Sequence, residues 1–161
     1  MPRWGLMLAA FSPAVDMPEG NLLGIDYGAR TVGLAVAHPL TGSARPLAPI
    51  VYRQPEGLAT EIRQVLKDWK PTLIVLGLPL DGAGNDTEMS RRIRDFASGL
   101  AGWAPSARLV FQDERLTSEA AARAFAERRS QGRARRRDAA QLDSLAAAMI
   151  LDAWMTEHGI V

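Results

Sequence analysis

Asp26 interrupts an otherwise apolar hairpin sequence, LLGIDYGARTVGLAV (22–36). Aspartate disfavours strand interiors, and a lone buried carboxylate is costly to desolvate. A second acidic pair, Asp113 and Glu114, closes the strand sequence RLVFQDE (108–114), and a third acid, Asp143, lies in the last helix. At about 100° per residue, Asp143 falls at the edge of the stripe Leu142, Leu145, Ala146, Met149, Ile150 and Ala153, partly toward a sheet. Carboxylates sharing a site repel unless protons or cations intervene. Hard divalent cations, Mg2+ or Mn2+, take such oxygen ligands. Two of them about 3.5–4 Å apart activate water and stabilise the leaving oxygen in phosphodiester cleavage. Taken singly, each acid has a plainer reading. Asp26 would cap the hairpin turn or pair with Arg30, Asp113 and Glu114 would close a strand at the surface, and Asp143 would be solvated. Only the combination points to a metal-dependent site.

The elements that must position these acids follow from pattern. NLLGID, TVGLAVA and RPLAPIVY read as three strands, with YGAR as the tight connection between the first two. GLATEIRQVLKDW (57–69) spaces Ile62, Val65, Leu66 and Trp69 as a helix that Pro71 stops. TLIVLGLP (72–79) is a continuous apolar run, as in a parallel strand buried on both faces. After the turn DGAGN, a helix from near Asp86 to Leu100 aligns Met89, Ile93, Phe96, Ala97 and Leu100. SEAAARAFAERR predicts a further helix, capped by Thr117 or Ser118, and the last helix runs from about Asp138 to Glu157. The fold class is therefore α/β: a mixed sheet, antiparallel at its start, then parallel, with helices on its faces.

The 161 residues suit one domain over 21–161, preceded by a loose extension over 1–20 broken by Pro13 and Pro18. The absence of cysteine excludes thiol nucleophiles, disulfides and Cys-type zinc sites, and fits a cytoplasmic protein. No apolar stretch reaches the length of a membrane span. The net charge of +1 offers no global polycation argument, although 17 of the 19 basic residues are arginine. Six of these lie in RRSQGRARRR (128–137), so that Arg133, Arg135, Arg136 and Arg137 are candidate phosphate contacts. A solvated charge run is the plainer alternative. Arg91, Arg92 and Arg94 read as an exposed helix face, His38 as a structural strand end, and DGAGN as a simple turn rather than a phosphate cradle.

Four segments in order, GIDYGARTVGLAVAHPLTGSARPL, IVLGLPL, QDERLTSEAA and LDSLAAAMIL, resemble the motifs of the YqgF family, also called RuvX. That family is associated with Holliday junction resolution and with pre-16S ribosomal RNA cleavage. The resemblance covers residues 21–156. It implies a ribonuclease H-like fold and a divalent-metal nuclease with Asp26, Glu114 and Asp143 as catalytic metal ligands, and Asp113 as a lesser candidate. It also implies structured RNA or branched DNA as partner, with 5′-end processing of the ribosomal precursor as the leading role and junction resolution as the alternative. The protein would be a monomer or a homodimer, since symmetric junction cleavage requires a two-fold pair. The loop DGAGND departs from the family's NMDGT-like residues, and the first 20 residues have no counterpart in the family core.

Two other classes compete. The GIDYG hairpin resembles the first phosphate loop of actin-like ATPases and sugar kinases, but the second Asp–x–Gly hairpin and second domain are missing. A non-catalytic nucleic-acid-binding module would not need all three acids.

Overall fold

Two-residue alternation divides the strand side chains between two helix-covered faces. The computed structural model describes residues 18–114 and 142–160. Among these residues the order is β1 (Leu22–Tyr27), β2 (Thr31–Ala37), β3 (Ala44–Val51), α1 (Pro55–Trp69), β4 (Leu73–Leu78), α2 (Glu88–Trp103), β5 (Arg108–Asp113) and α3 (Leu142–Glu157). The strands lie in the order β3-β2-β1-β4-β5. β1–β2 and β2–β3 are antiparallel, whereas β1–β4 and β4–β5 are parallel. This is the mixed sheet expected from the pattern. The helix expected over SEAAARAFAERR, the arginine-rich residues 128–137 and the first 17 residues lie outside the described residues.

Large aliphatics fill one face. Leu23, Ile25, Leu34, Ile74 and Leu76 pack with Leu58 and Ile62 of α1 and with Ile93 and Leu100 of α2. On the other face Leu22, Ala35, Leu73 and Val75 meet Ala147, Ile150, Leu151, Trp154 and Met155 of α3. Each large side chain buried there contributes about 1.5–3 kcal/mol. The α3 face differs from the stripe expected for this helix. Ala146 and Ile150 of that stripe are buried, together with Ser144, Ala147, Leu151 and Trp154, while Leu142, Leu145, Met149 and Ala153 are only partly so. The helix is apolar nearly all round, so its own sequence selects no face, and the small residues decide which one fits the sheet.

Local chemistry sets the other boundaries. Pro55 opens α1, and Lys70 ends it in the left-handed region at φ 45°. α2 starts at Glu88 rather than at Asp86. Thr87 Oγ1 accepts from Ser90 N at 3.1 Å while Ser90 Oγ accepts from Thr87 N at 2.6 Å, a reciprocal cap that fixes the first turn. Asp86 instead pairs with Arg94 at 3.0 Å.

The α3 face of the central strands is lined with small residues because the helix lies almost on the backbone. A Cβ added at Gly24 would meet Ala147 O at 2.7 Å, and one at Gly33 would overlap the Asp143 carbonyl. Gly33→Ala is therefore expected to destabilise the protein by about 3 kcal/mol. Gly57→Ala in α1, where an added Cβ meets nothing within 4 Å, is expected to stabilise it by about 0.5–1 kcal/mol. Urea unfolding of the two variants checks both signs.

Candidate active site

Strand alternation places Asp26 on the α3 face, in line with Leu22 and Gly24. Its cross-strand partner is Gly33 of β2, and α3 lays the Asp143 backbone directly over that glycine. On the other flank β1 runs parallel to β4, with Ile25 opposite Leu76 as the last pair, so the next step sets Asp26 beside Gly77. A Cβ at Gly77 would overlap Glu114 Oε2 and Ile150 Cδ1. Glu114 thus reaches Asp26 over one glycine, and the main chain at Asp143 lies over another. Neighbouring residues point to opposite faces: Glu114 is 7% exposed, whereas Asp113 is turned outward.

Hydrogen bonds hold α3 in this seat. The β2–β3 register shifts between Val32 and Leu34, and the Leu34 N–H donates to Ser144 Oγ at 3.1 Å instead. Ser144, fully buried, thereby satisfies a strand amide and anchors the helix turn that carries Asp143. Asp152 Oδ1 accepts from Ala44 N at 3.0 Å, and Gln112 Nε2 donates to Glu157 Oε1 at 3.0 Å. Ser144, Gly33 and Gly77 were not among the residues the sequence reading singled out. Glycine inside a strand is the one signal that marks such a close approach.

The three acids act on one another. Burial first, then the charges of Glu114 and Asp143 and a hydrogen bond to Glu114, raise the Asp26 pKa to about 8. Burial also raises Glu114, against the hydrogen bond from Asp26, and the charges of Asp113 and Asp143 push it further in the same direction. Asp143 is raised by burial. At neutral pH Asp26 therefore holds a proton and shares it with Glu114. Among the described residues, no three such side chains already converge on one cation-sized position. Yet Glu114 Oε2 is buried with no hydrogen-bond partner, and the donor set is entirely oxygen. An orphaned carboxylate oxygen beside two further acids fits a hard divalent cation.

Other candidates resolve differently. Arg30 is exposed, and the groups acting on Asp26 are Glu114 and Asp143. Arg91, Arg92 and Arg94 are exposed, with Arg92 paired to Glu88 at 2.9 Å. In DGAGN the Asp81 carboxylate accepts from Ala83 N at 2.9 Å and Asn85 N at 2.8 Å, so those amides serve the turn. His38 accepts from Leu40 N at 3.1 Å, a structural role. Arg133, Arg135, Arg136 and Arg137 lie outside the described residues.

Comparison with known proteins agrees with this architecture. The family model described as "RuvX: Holliday junction resolvase" matches residues 20–157. A protein of Aeromonas salmonicida named "Putative pre-16S rRNA nuclease" is 37% identical over 143 residues, covering 88% of this chain and 99% of that one. A protein of the same name from Pseudomonas paraeruginosa is 38% identical over 145 residues, covering 90% and 98%. Among solved structures, RuvC of T. thermophilus in complex with a Holliday junction substrate matches with TM-score 0.53 at 19% identity, over 88% of this chain and 98% of that chain. The fowlpox virus Holliday junction resolvase matches with TM-score 0.51 at 13% identity, over 85% and 98%. At that identity the likeness establishes the fold, which is ribonuclease H-like.

The raised pKa of Asp26 has a definite consequence for stability. Between the ordinary aspartate value of 3.8 and about 8, the folded protein holds a proton that the unfolded chain has released. Stability is then full below pH 4 and is lost as pH rises through 8. In chelator, the wild type is expected to lose on the order of a few kcal/mol between pH 5 and pH 8. Asp26→Asn is expected to flatten that slope and to be the more stable protein at pH 8. Urea unfolding across this range measures both.

Proposed function

The chain belongs to the RuvX Holliday junction resolvase family, and from that membership we propose a divalent-metal-dependent nuclease that processes the 5′ end of pre-16S ribosomal RNA. The observation that carries the chemistry is the Glu114 carboxylate lying over Gly77 and bonded to Asp26, with the charge of Asp143 acting on both and one oxygen of Glu114 left unpartnered. The choice of RNA rests on relatives at 37–38% identity whose printed name is that of a pre-16S rRNA nuclease. The family model's own description supports a second reading, cleavage of branched DNA.

Asp26, Glu114 and Asp143 are the residues that would hold Mg2+ or Mn2+, with Asp113 at the outer edge. When bound, such ions supply charge neutralisation at the phosphoryl oxygens and a water acidic enough to attack near neutral pH. The protein's part is positional. Asp26 and Glu114 hold a shared proton that would have to leave for both to serve as ligands, and Gly77 lets the Glu114 carboxylate lie against the sheet. Ser144 holds the turn carrying Asp143 through the Leu34 amide. Arg133, Arg135, Arg136 and Arg137 are assigned to phosphate contacts, which confer affinity but no base reading. Both substrates present the same phosphodiester, so selection falls to shape. One protomer suffices for a single RNA cut, whereas paired junction cuts need a two-fold dimer. Action on a ribosomal precursor would be cytoplasmic work, in keeping with the name the relatives carry.

Cleavage of end-labelled pre-16S RNA, a four-way DNA junction and a DNA flap, each with Mn2+, Mg2+ or chelator, tests the proposal. Cutting is expected only with metal and fastest on the RNA. Asp26→Asn, Glu114→Gln and Asp143→Asn should each lower the rate by more than about a hundredfold. Faster cutting of the junction would move the assignment to branched DNA, and metal-independent cutting would remove the metal role. Mn2+ should also raise the melting temperature of the wild type but not of Asp26→Asn. Replacing Arg135, Arg136 and Arg137 by alanine should weaken binding and flatten its salt dependence.

A further inference from the structure

Tyr27 follows Asp26 in β1, so its ring points to the opposite face of the sheet, toward α1 and α2. There a cavity of about 390 Å3 is lined by Tyr27, Tyr52, Phe96 and Trp103, with Arg92 and Asp95 on its α2 side. All four rings are partly exposed. Phe96 lies 4.8 Å from Tyr27 between centroids and 6.4 Å, nearly edge-on, from Trp103, giving a continuous aromatic wall. Tyr52 is fixed without any ligand, because its hydroxyl donates to Gly28 O at 2.6 Å and its amide to Arg30 O at 3.0 Å. The same bonds brace Gly28 and Arg30 in the connection that follows Asp26 and Tyr27.

A rigid, half-exposed aromatic wall takes a flat π ligand, and bases of any sequence stack on such walls. Among the described residues the ion pair of Arg92 is to Glu88 and is exposed. Pairs of that kind contribute little, so its guanidinium can turn to a phosphate at small cost. Asp95 adds a carboxylate acceptor to the same lining. We propose that this groove stacks an unpaired base of the nucleic-acid substrate, beside the phosphodiester held at Asp26. The proposal rests on the nuclease reading above and deepens it. A strand leaving the acidic site around residues 28–30 delivers its next nucleotides to the groove, which a continuous duplex cannot do. The enzyme then selects substrates with unpaired nucleotides next to the cut.

Binding measured in chelator separates this from catalysis. A short fluorescent single-stranded RNA and the same strand with all bases removed carry equal phosphate charge. By anisotropy, the wild type is expected to prefer the base-bearing strand by about tenfold. Phe96→Leu and Trp103→Leu should lose most of that preference while binding the abasic strand unchanged, and Phe96→Tyr, which keeps the ring, should retain it. Equal binding of both strands by the wild type, or an undiminished preference in both leucine variants, overturns the stacking site and leaves the nuclease reading intact. Binding of neither strand also overturns the stacking site, and the nuclease reading then stands or falls on the cleavage assay.

Discussion

The structure depends on how closely α3 approaches the sheet. A helix packed at ordinary distance would leave Asp143 remote from Asp26. Here the Asp143 carbonyl occupies the space a side chain at Gly33 would need, and Ala147 O lies within 2.7 Å of where a Cβ at Gly24 would stand. The β2–β3 register shifts at this place, and the buried hydroxyl of Ser144 accepts from the Leu34 amide. Close backbone contact, the Ser144 hydroxyl and the apolar packing of α3 therefore fix the acidic site together.

The approach has an energetic cost, because it forces like charges together in a desolvated place. Protonation is the metal-free relief: Asp26 keeps its proton up to about pH 8 and shares it with Glu114. A divalent cation offers another relief, in which the oxygens that repel become ligands. A site of this kind is unfavourable by itself and favourable with its ion, the usual sign of strain retained for function. The compensating stability comes from the opposite face, where fully buried leucines and isoleucines unite β1, β2 and β4 with α1 and α2.

Much of this was legible in the sequence, and the gaps have physical causes. The strands are legible from their apolar runs, β4 because it is buried on both faces, and the first two helices from the one clear face that each buries. The acids stood out because carboxylates in strands and apolar helices contradict their surroundings. Which of Asp113 and Glu114 turns inward could not be read, since the choice depends on the last residue of β5 keeping its alternation. The buried face of α3 was misplaced because that helix is apolar all round. Ser144 passed unnoticed, as a helical serine usually bonds locally or to water, and its partner lies 110 residues away. Gly33 and Gly77 read as ordinary strand glycines until the groups above them were located.

The sheet divides its work by face, and alternation enforces the division. Asp26 and Tyr27 are adjacent, yet the first belongs to the acidic site and the second to the aromatic groove. A one-residue slip of β1 would exchange them, burying the tyrosine under α3 and placing the carboxylate among aliphatics. The register is pinned by six antiparallel pairs with β2 and four parallel pairs with β4, and by the glycines that only one register brings beneath α3. Stability and chemistry therefore draw on the same register, and any change that loosens β1 disturbs both together.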